Sequence, residues 1–149
     1  MNNQTKKYWD NYWSNQQKQA PQKVTAWQFG AQPDYLAQQV INGMKTATCS
    51  GHIFYELEKE PIPAVNDYSV VVNSLDEPVA IIRTSEVSIM PMNEVPESFA
   101  RAEGEGDLSY EYWYRVHKEF FTMALKEHNL SFSDDMPLVC ERFELIDVK

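Results

Sequence analysis

At 149 residues, 43% of them hydrophobic, the chain is long enough for one hydrophobic core and too short for two. A net charge of -9 excludes a protein whose whole surface wraps a nucleic-acid backbone, because phosphate binding needs local cations. Cys49 and Cys140 lack metal-type spacing, which points to free thiols in a reducing compartment and to no zinc site. No apolar run approaches the roughly 18 residues of a membrane span, and the polar start MNNQTKKYW has no secretory core, so a cytoplasmic protein without membrane contact is expected.

Residues 1–23 read as an N-terminal aromatic and basic arm, ahead of a domain over 24–149. Tyr8, Trp9, Tyr12 and Trp13 share one face of a short helix, which either stacks on bases or packs against the domain; helical stripes usually pack. Lys6, Lys7, Lys18 and Lys23 stand against Asp10 alone, so the rest of the chain is more acidic than the whole. A polyanion would have to approach this arm or a local positive site.

QKQAPQK reads as a linker into a first strand, VTAWQF. Pro33 suits the first turn of a helix and Gly43 a left-handed end, so PDYLAQQVING is predicted helical with Leu36 and Val40 facing inward. DYSVVVNSLDEPVAIIRTSEVSIM contains two Val- and Ile-rich strands around a turn near NSLDEP, a hairpin. From Ser109 to about Glu127, Trp113, Val116, Phe120 and Ala124 recur at helical spacing and predict a long helix with one buried face. PLVCERFELIDV reads as a final strand with Val139, Phe143 and Leu145 as its apolar set. The expected class is α+β: a small curved barrel of five to six strands, with a helix after the first strand and a long helix before the last.

Two stretches carry chemistry. In NGMKTATCSG, Lys45 is followed by small residues, including Thr48, Cys49 and Ser50, a setting suited to a lysine that activates a hydroxyl or holds an anion. In ARAEGEGDLSYEYW, Glu103, Glu105 and Asp107 alternate with glycines that allow sharp turning and close ligand approach. The same carboxylates also suit a helix N-terminus capped by Ser109, and they lack the ligand count of a calcium loop. His52, His117 and His128 are the candidate general bases among the imidazoles; His117 lies close to the buried helix face, where a packing role is common. Cys49 has no histidine at a recognisable spacing.

WQFG at 27–30, NGMKTAT at 42–48, PVAIIRTSEV at 78–87, FARAEGEGD at 99–107 and YWYRVHKEFF at 112–121 occur in order and together resemble the ASCH domain family, over roughly residues 24–147. The resemblance implies a PUA-like barrel with a cleft between the lysine turn and the acidic turn. Its ligands would be RNA or a small nucleoside or nucleotide, with no cofactor and no metal. Some family members are RNA-binding modules and some are ribonucleases. A short bacterial branch hydrolyses the amide of N4-acetylcytidine with Lys, Thr and Glu.

Carried over position by position, the branch's G-x-K-x-x-T pattern falls on Gly43, Lys45 and Thr48, and its glutamate on Glu103 or, by a two-residue shift, Glu105. The arginine common two residues after the threonine is replaced by Ser50, which leaves substrate choice open. The expected site is therefore Lys45, Thr48 and Glu103 as catalytic residues, with Trp27, Ser50 and Glu105 lining the ligand. In the enzymatic reading a desolvated, neutral Lys45 takes the Thr48 proton during attack on an acyl carbon, and Glu103 orients the lysine or protonates the departing amine. In the alternative reading Lys45 stays charged, pairs with Glu103 or Glu105, and the cleft binds RNA or nucleotide without turning it over.

Overall fold

A computed structural model describes residues 1–149. The chain begins with helix α1 (Asn3–Asn15), whose N-cap Asn2 accepts the Thr5 amide through its side chain. Strand β1 (Val24–Trp27) leads to helix α2 (Pro33–Ile41), which starts on its proline and ends before Gly43 at φ +81, the left-handed conformation that closes helices without strain only at glycine. Strand β2 (Ala47–Gly51) runs into the short helix α3 (His52–Glu58). Strands β3 (Tyr68–Val72) and β4 (Pro78–Pro91) form the hairpin around NSLDE. A single 3-10 turn, helix α4 (Glu97–Ala102) and the long helix α5 (Tyr110–Lys126) precede the final strand β5 (Pro137–Val148).

The strands make one mixed sheet in the order β1-β3-β4-β5-β2, parallel only between β1 and β3. The expected barrel is corrected in this respect: β1 and β2 are the two edges, and no hydrogen-bonded pair joins them. Curvature comes from irregularities in the long β4–β5 ladder, at Ile81/Ile82 and at Thr84/Glu86, where an extra residue bends the strand and increases its twist. Length forces this, since β4 and β5 are more than twice as long as β1 and β2 and must wrap the core to stay paired.

Three clusters fill the space around the sheet. Helix α1 lays Tyr8 and Trp9 on Val70, Val72 and Ile81, with Tyr12 and Trp13 partly buried beside them. Helix α2 sets Ala37 and Val40 against Phe29, Val71, Ala80, Ile82 and Phe143. Helices α4 and α5 cover Ala47, Leu138 and Cys140 with Phe99, Ala100, Trp113, Phe121 and Leu125.

The buried stripe of α5 differs from the predicted one. Trp113, His117, Phe121 and Leu125 face inward, whereas Phe120 is 42% exposed. The inward row steps by four residues and passes through a histidine, so apolar periodicity alone selects its neighbours. Leu36 is also only partly buried, Ala37 taking the inward position on α2, and Leu145 is 39% exposed. Helices α3 and α4 are additions to the elements read from sequence; each spans two turns or fewer, below the length at which periodicity is visible.

Candidate functional site

The two loaded turns meet. After Gly43 the chain doubles back, and the Lys45 amide donates to the Gln39 carbonyl (2.9 Å). The next amide, from Thr46, donates to the Ala102 carbonyl (2.8 Å), and the Gln39 side-chain amide donates to the Gly104 carbonyl (2.7 Å), which ties the lysine turn to the acidic turn through the main chain. Gly104 is required at this crossing: its φ is +72, and a Cβ there would stand 2.1 Å from the Met44 carbonyl oxygen.

This docking buries two charged side chains that lie 58 residues apart. Lys45 and Glu103 are 2% and 1% exposed. The Lys45 ammonium donates to Glu103 Oε1 (3.2 Å), to the Glu103 carbonyl (3.3 Å) and to Glu105 Oε1 (3.5 Å), three acceptors for the three N–H groups of an ammonium. Its Nζ also stands 5.3 Å from the Phe29 ring centroid, on the electron-rich face that favours a cation.

The second oxygen of Glu103 accepts the indole N–H of Trp113 and faces His117 Nε2 at 3.4 Å. His117 Nδ1 donates to the Trp113 carbonyl (2.7 Å), and the ring stacks on Trp113 at 4.7 Å. Both ring nitrogens therefore face oxygens that only accept.

The charges set one another. Burial alone pushes the Glu103 carboxyl up, but Lys45, His117 and the Trp113 N–H together outweigh it and hold the group down to about 2. Burial pulls His117 down, and the neighbouring Glu103, helped by Glu105, more than reverses this, so its pKa is raised. The Cys49 thiol is pushed well above its ordinary value, first by burial and then by the charge of Glu103. Sulfur, imidazole and carboxylate atoms of Cys49, His117 and Glu103 lie within 4.8 Å of one another, a set that resembles a metal-ligand triad. The chemistry fits a cation poorly: Lys45 already supplies the positive charge, Glu103 is committed to three donors, and a zinc ligand needs the thiolate that this environment disfavours.

Of the other expected residues, Glu105 joins the cluster and Thr48, Ser50 and Trp27 are placed elsewhere. Thr48 lies in β2 opposite Glu141, and neighbouring strand residues point to opposite faces. Since Ala47 and Cys49 pack into the α5-side cluster, Thr48 and Ser50 point the other way, and none of the hydrogen bonds of Lys45 or Glu103 goes to Thr48. Ser50 Oγ is hydrogen-bonded to Tyr55 Oη at 2.7 Å. Trp27 packs edge-on against Phe29, centroids 4.6 Å apart, in the α2-side core; Phe29 rather than Trp27 touches the lysine. Glu105 is at the rim, its side chain 11% exposed.

Trp113, His117 and Phe29 enter the cluster without having been selected as site residues. The one sequence signal for the first two is their separation of four in a helix that follows the acidic turn.

The ASCH domain family model matches residues 25–147. Among solved structures, an ASCH domain from Lactobacillus crispatus JV V101 superposes with a TM-score of 0.89 at 30% identity, covering 97% of this chain and 95% of that one. A protein from Enterococcus faecalis V583 gives a TM-score of 0.88 at 38% identity, covering 99% and 91%. An ASCH protein from Zymomonas mobilis, at 10% identity, a TM-score of 0.51 and coverage of 85% and 67%, shares the fold. No curated protein matches the sequence. Matched over residues 25–147 by the family model and over nearly its whole length by two structures at 30% identity or more, the chain belongs to the ASCH domain family.

Proposed function

We propose that this ASCH domain binds RNA or a nucleoside without turning it over, with the lysine turn and the acidic turn clasped together as the frame of the binding surface. The supporting observation is the saturation of Lys45. An ammonium whose three N–H groups already have acceptors, two of them on Glu103, serves to hold the two turns in register. A base for Thr48 would have to be neutral and within reach of that hydroxyl, whereas Lys45 donates to carboxylates and Thr48 leaves the strand on the other face.

Family membership supports an RNA or nucleoside ligand, and the acidity of the chain, at -9, supports a small contact area over an extended backbone track. Of the arm's four lysines, Lys6 is paired with Asp10 and Lys23 with Asp67, so Lys7 and Lys18 are the ones left to meet phosphates.

Hydrolysis of an acyl amide such as N4-acetylcytidine is the second reading, and the Lys45–Glu103 contact is what favours it. One experiment separates them. Purified protein is incubated with N4-acetylcytidine and cytidine release is followed for the wild type and Thr48→Ala. The binding reading expects no release above the uncatalysed rate from either, together with a measurable affinity for nucleoside or short RNA. Turnover by the wild type that is lost in Thr48→Ala would replace it with the hydrolytic reading.

A further inference from the structure

The face of the β2–β5 ladder opposite Ala47, Cys49 and Cys140 holds a second polar group. Thr48 and Glu141 are direct partners in the antiparallel β2–β5 ladder and so share a face, and Ser50, two residues on, shares it with them. Thr84 Oγ1 donates to Glu141 Oε1 at 3.2 Å from β4. Tyr55, from α3, closes the group through its 2.7 Å hydrogen bond to Ser50, and the charge of Glu141 adds to the burial that raises the phenol's pKa.

Three strands and a helix therefore bring four hydroxyls around one carboxyl. Thr48, Ser50, Tyr55 and Glu141 are each partly exposed, so the group is reachable from solvent, while Thr84 is buried beneath it.

What distinguishes this carboxyl is its lack of a cation. Glu141 forms no ion pair; its one side-chain hydrogen bond comes from the Thr84 hydroxyl. Burial pushes its pKa up, the Thr84 hydrogen bond draws it part of the way back, and Asp67 nearby adds to the rise. Arg142, the adjacent cation on β5, points to the opposite face, over the Phe99 ring and toward Glu86. A carboxyl with spare acceptor capacity, no counter-charge and hydroxyls on several sides repels phosphate and attracts N–H donors.

We propose that Glu141, with Thr84, Tyr55, Ser50 and Thr48, forms a binding site for an uncharged heterocycle that presents paired N–H donors, as the N1–H and N2–H edge of guanine does. This deepens the proposed nucleoside-binding function by placing base recognition on the Thr48 face of the β2–β5 ladder, and it rests on that reading only for its biological ligand. Two parallel N–H groups match the two oxygens of one carboxylate, and the surrounding hydroxyls, which both donate and accept, meet neighbouring ring atoms.

The test compares guanosine with inosine, which lacks the N2 amine, by NMR titration of wild type and Glu141→Gln. Isocytosine, which carries a paired-donor edge without a sugar, is a third probe. Guanosine is expected to bind about tenfold or more tightly than inosine, with shifts centred on 48–55 and 141, and Glu141→Gln to remove that preference while the fold persists. Equal binding of guanosine and inosine, or an unchanged preference in Glu141→Gln, overturns the proposal. So does a failure of both guanosine and isocytosine to bind. If RNA still binds in any of those cases, the nucleoside- or RNA-binding function stands without this site. Conversely, if isocytosine binds through Glu141 while nucleosides and RNA do not, the site stands and the wider function falls.

Discussion

The two faces of the β2–β5 ladder carry polar clusters of opposite design. On one, Lys45, Glu103, Trp113 and His117 satisfy one another, and both charged groups of the central pair are almost fully withdrawn from water. On the other, Glu141 has a hydroxyl partner but no cation, and its surroundings stay partly open. The difference teaches that the most chemically suggestive residues of a sequence can be the ones most fully used up by folding. A buried ion pair with every donor and acceptor filled holds elements together, and altering it costs stability first; a carboxyl without a counter-charge is where a ligand gains by arriving.

The largest expected effect comes from breaking the closed cluster. Lys45→Met leaves Glu103 buried without its cation and should lower unfolding stability by about 3–5 kcal/mol, read as a drop in the urea midpoint. Lys45→Met combined with Glu103→Leu should recover part of that loss, since no uncompensated carboxylate remains, the unrecovered part being the Trp113 N–H and His117 that lose their acceptor. A double variant as unstable as the sum of the singles would refute the account of Lys45 as the clasp between the turns.

Acid should act on the same cluster. Glu103 is held at about 2 against an ordinary value of 4.5. A carboxyl depressed on folding contributes stability above its unfolded value and loses it as pH falls through the folded one. Urea unfolding should therefore show a loss on the order of 3 kcal/mol from this group between pH 4.5 and 2. His117 has the opposite sign: its pKa is raised, so its contribution is full below 6.5 and fades as pH rises through the folded value. In Glu103→Gln both slopes should flatten, because the partner that sets each has lost its charge.

Next in size is the crossing of the turns. Gly104→Ala forces a side chain into a left-handed residue and against the Met44 carbonyl, and should cost about 2 kcal/mol or more in the same unfolding measurement. Glu141→Gln marks the contrast, with stability expected within about 0.5 kcal/mol of wild type, because removing a desolvated charge without a cation offsets the altered hydrogen bond.

The smallest effect concerns the arm. Tyr8 and Trp9 are buried against β3 and β4, so deleting residues 1–22 would strip the core along with the charges. Lys7→Gln with Lys18→Gln keeps the packing. If both lysines meet phosphates of single-stranded RNA, the slope of log affinity against log salt should fall by about 1.4. An unchanged slope would leave the arm as a packing element.

Much of the architecture was legible from local pattern. The proline start and glycine end of α2, the Val-rich hairpin of β3 and β4, and the Ser109-capped α5 are each written within a few neighbouring residues, as is the family resemblance carried by the lysine and acidic motifs. Such features depend on backbone propensity and side-chain period, which are properties of contiguous chain.

Only the tertiary structure decided which polar residues meet. Lys45 and Thr48 are three apart in sequence and leave the chain on different faces, because β2 begins between them and a strand alternates its side chains. Lys45 and Glu103, 58 apart, touch because Gly104 lets one main chain cross closely over another. Glu141 drew no notice in sequence, one acid among charged neighbours in PLVCERFELIDV. Its lack of a cation arises from strand register, which sets Thr48 opposite it and turns Arg142 away, and register is fixed by pairing across the sheet rather than by any local run of residues.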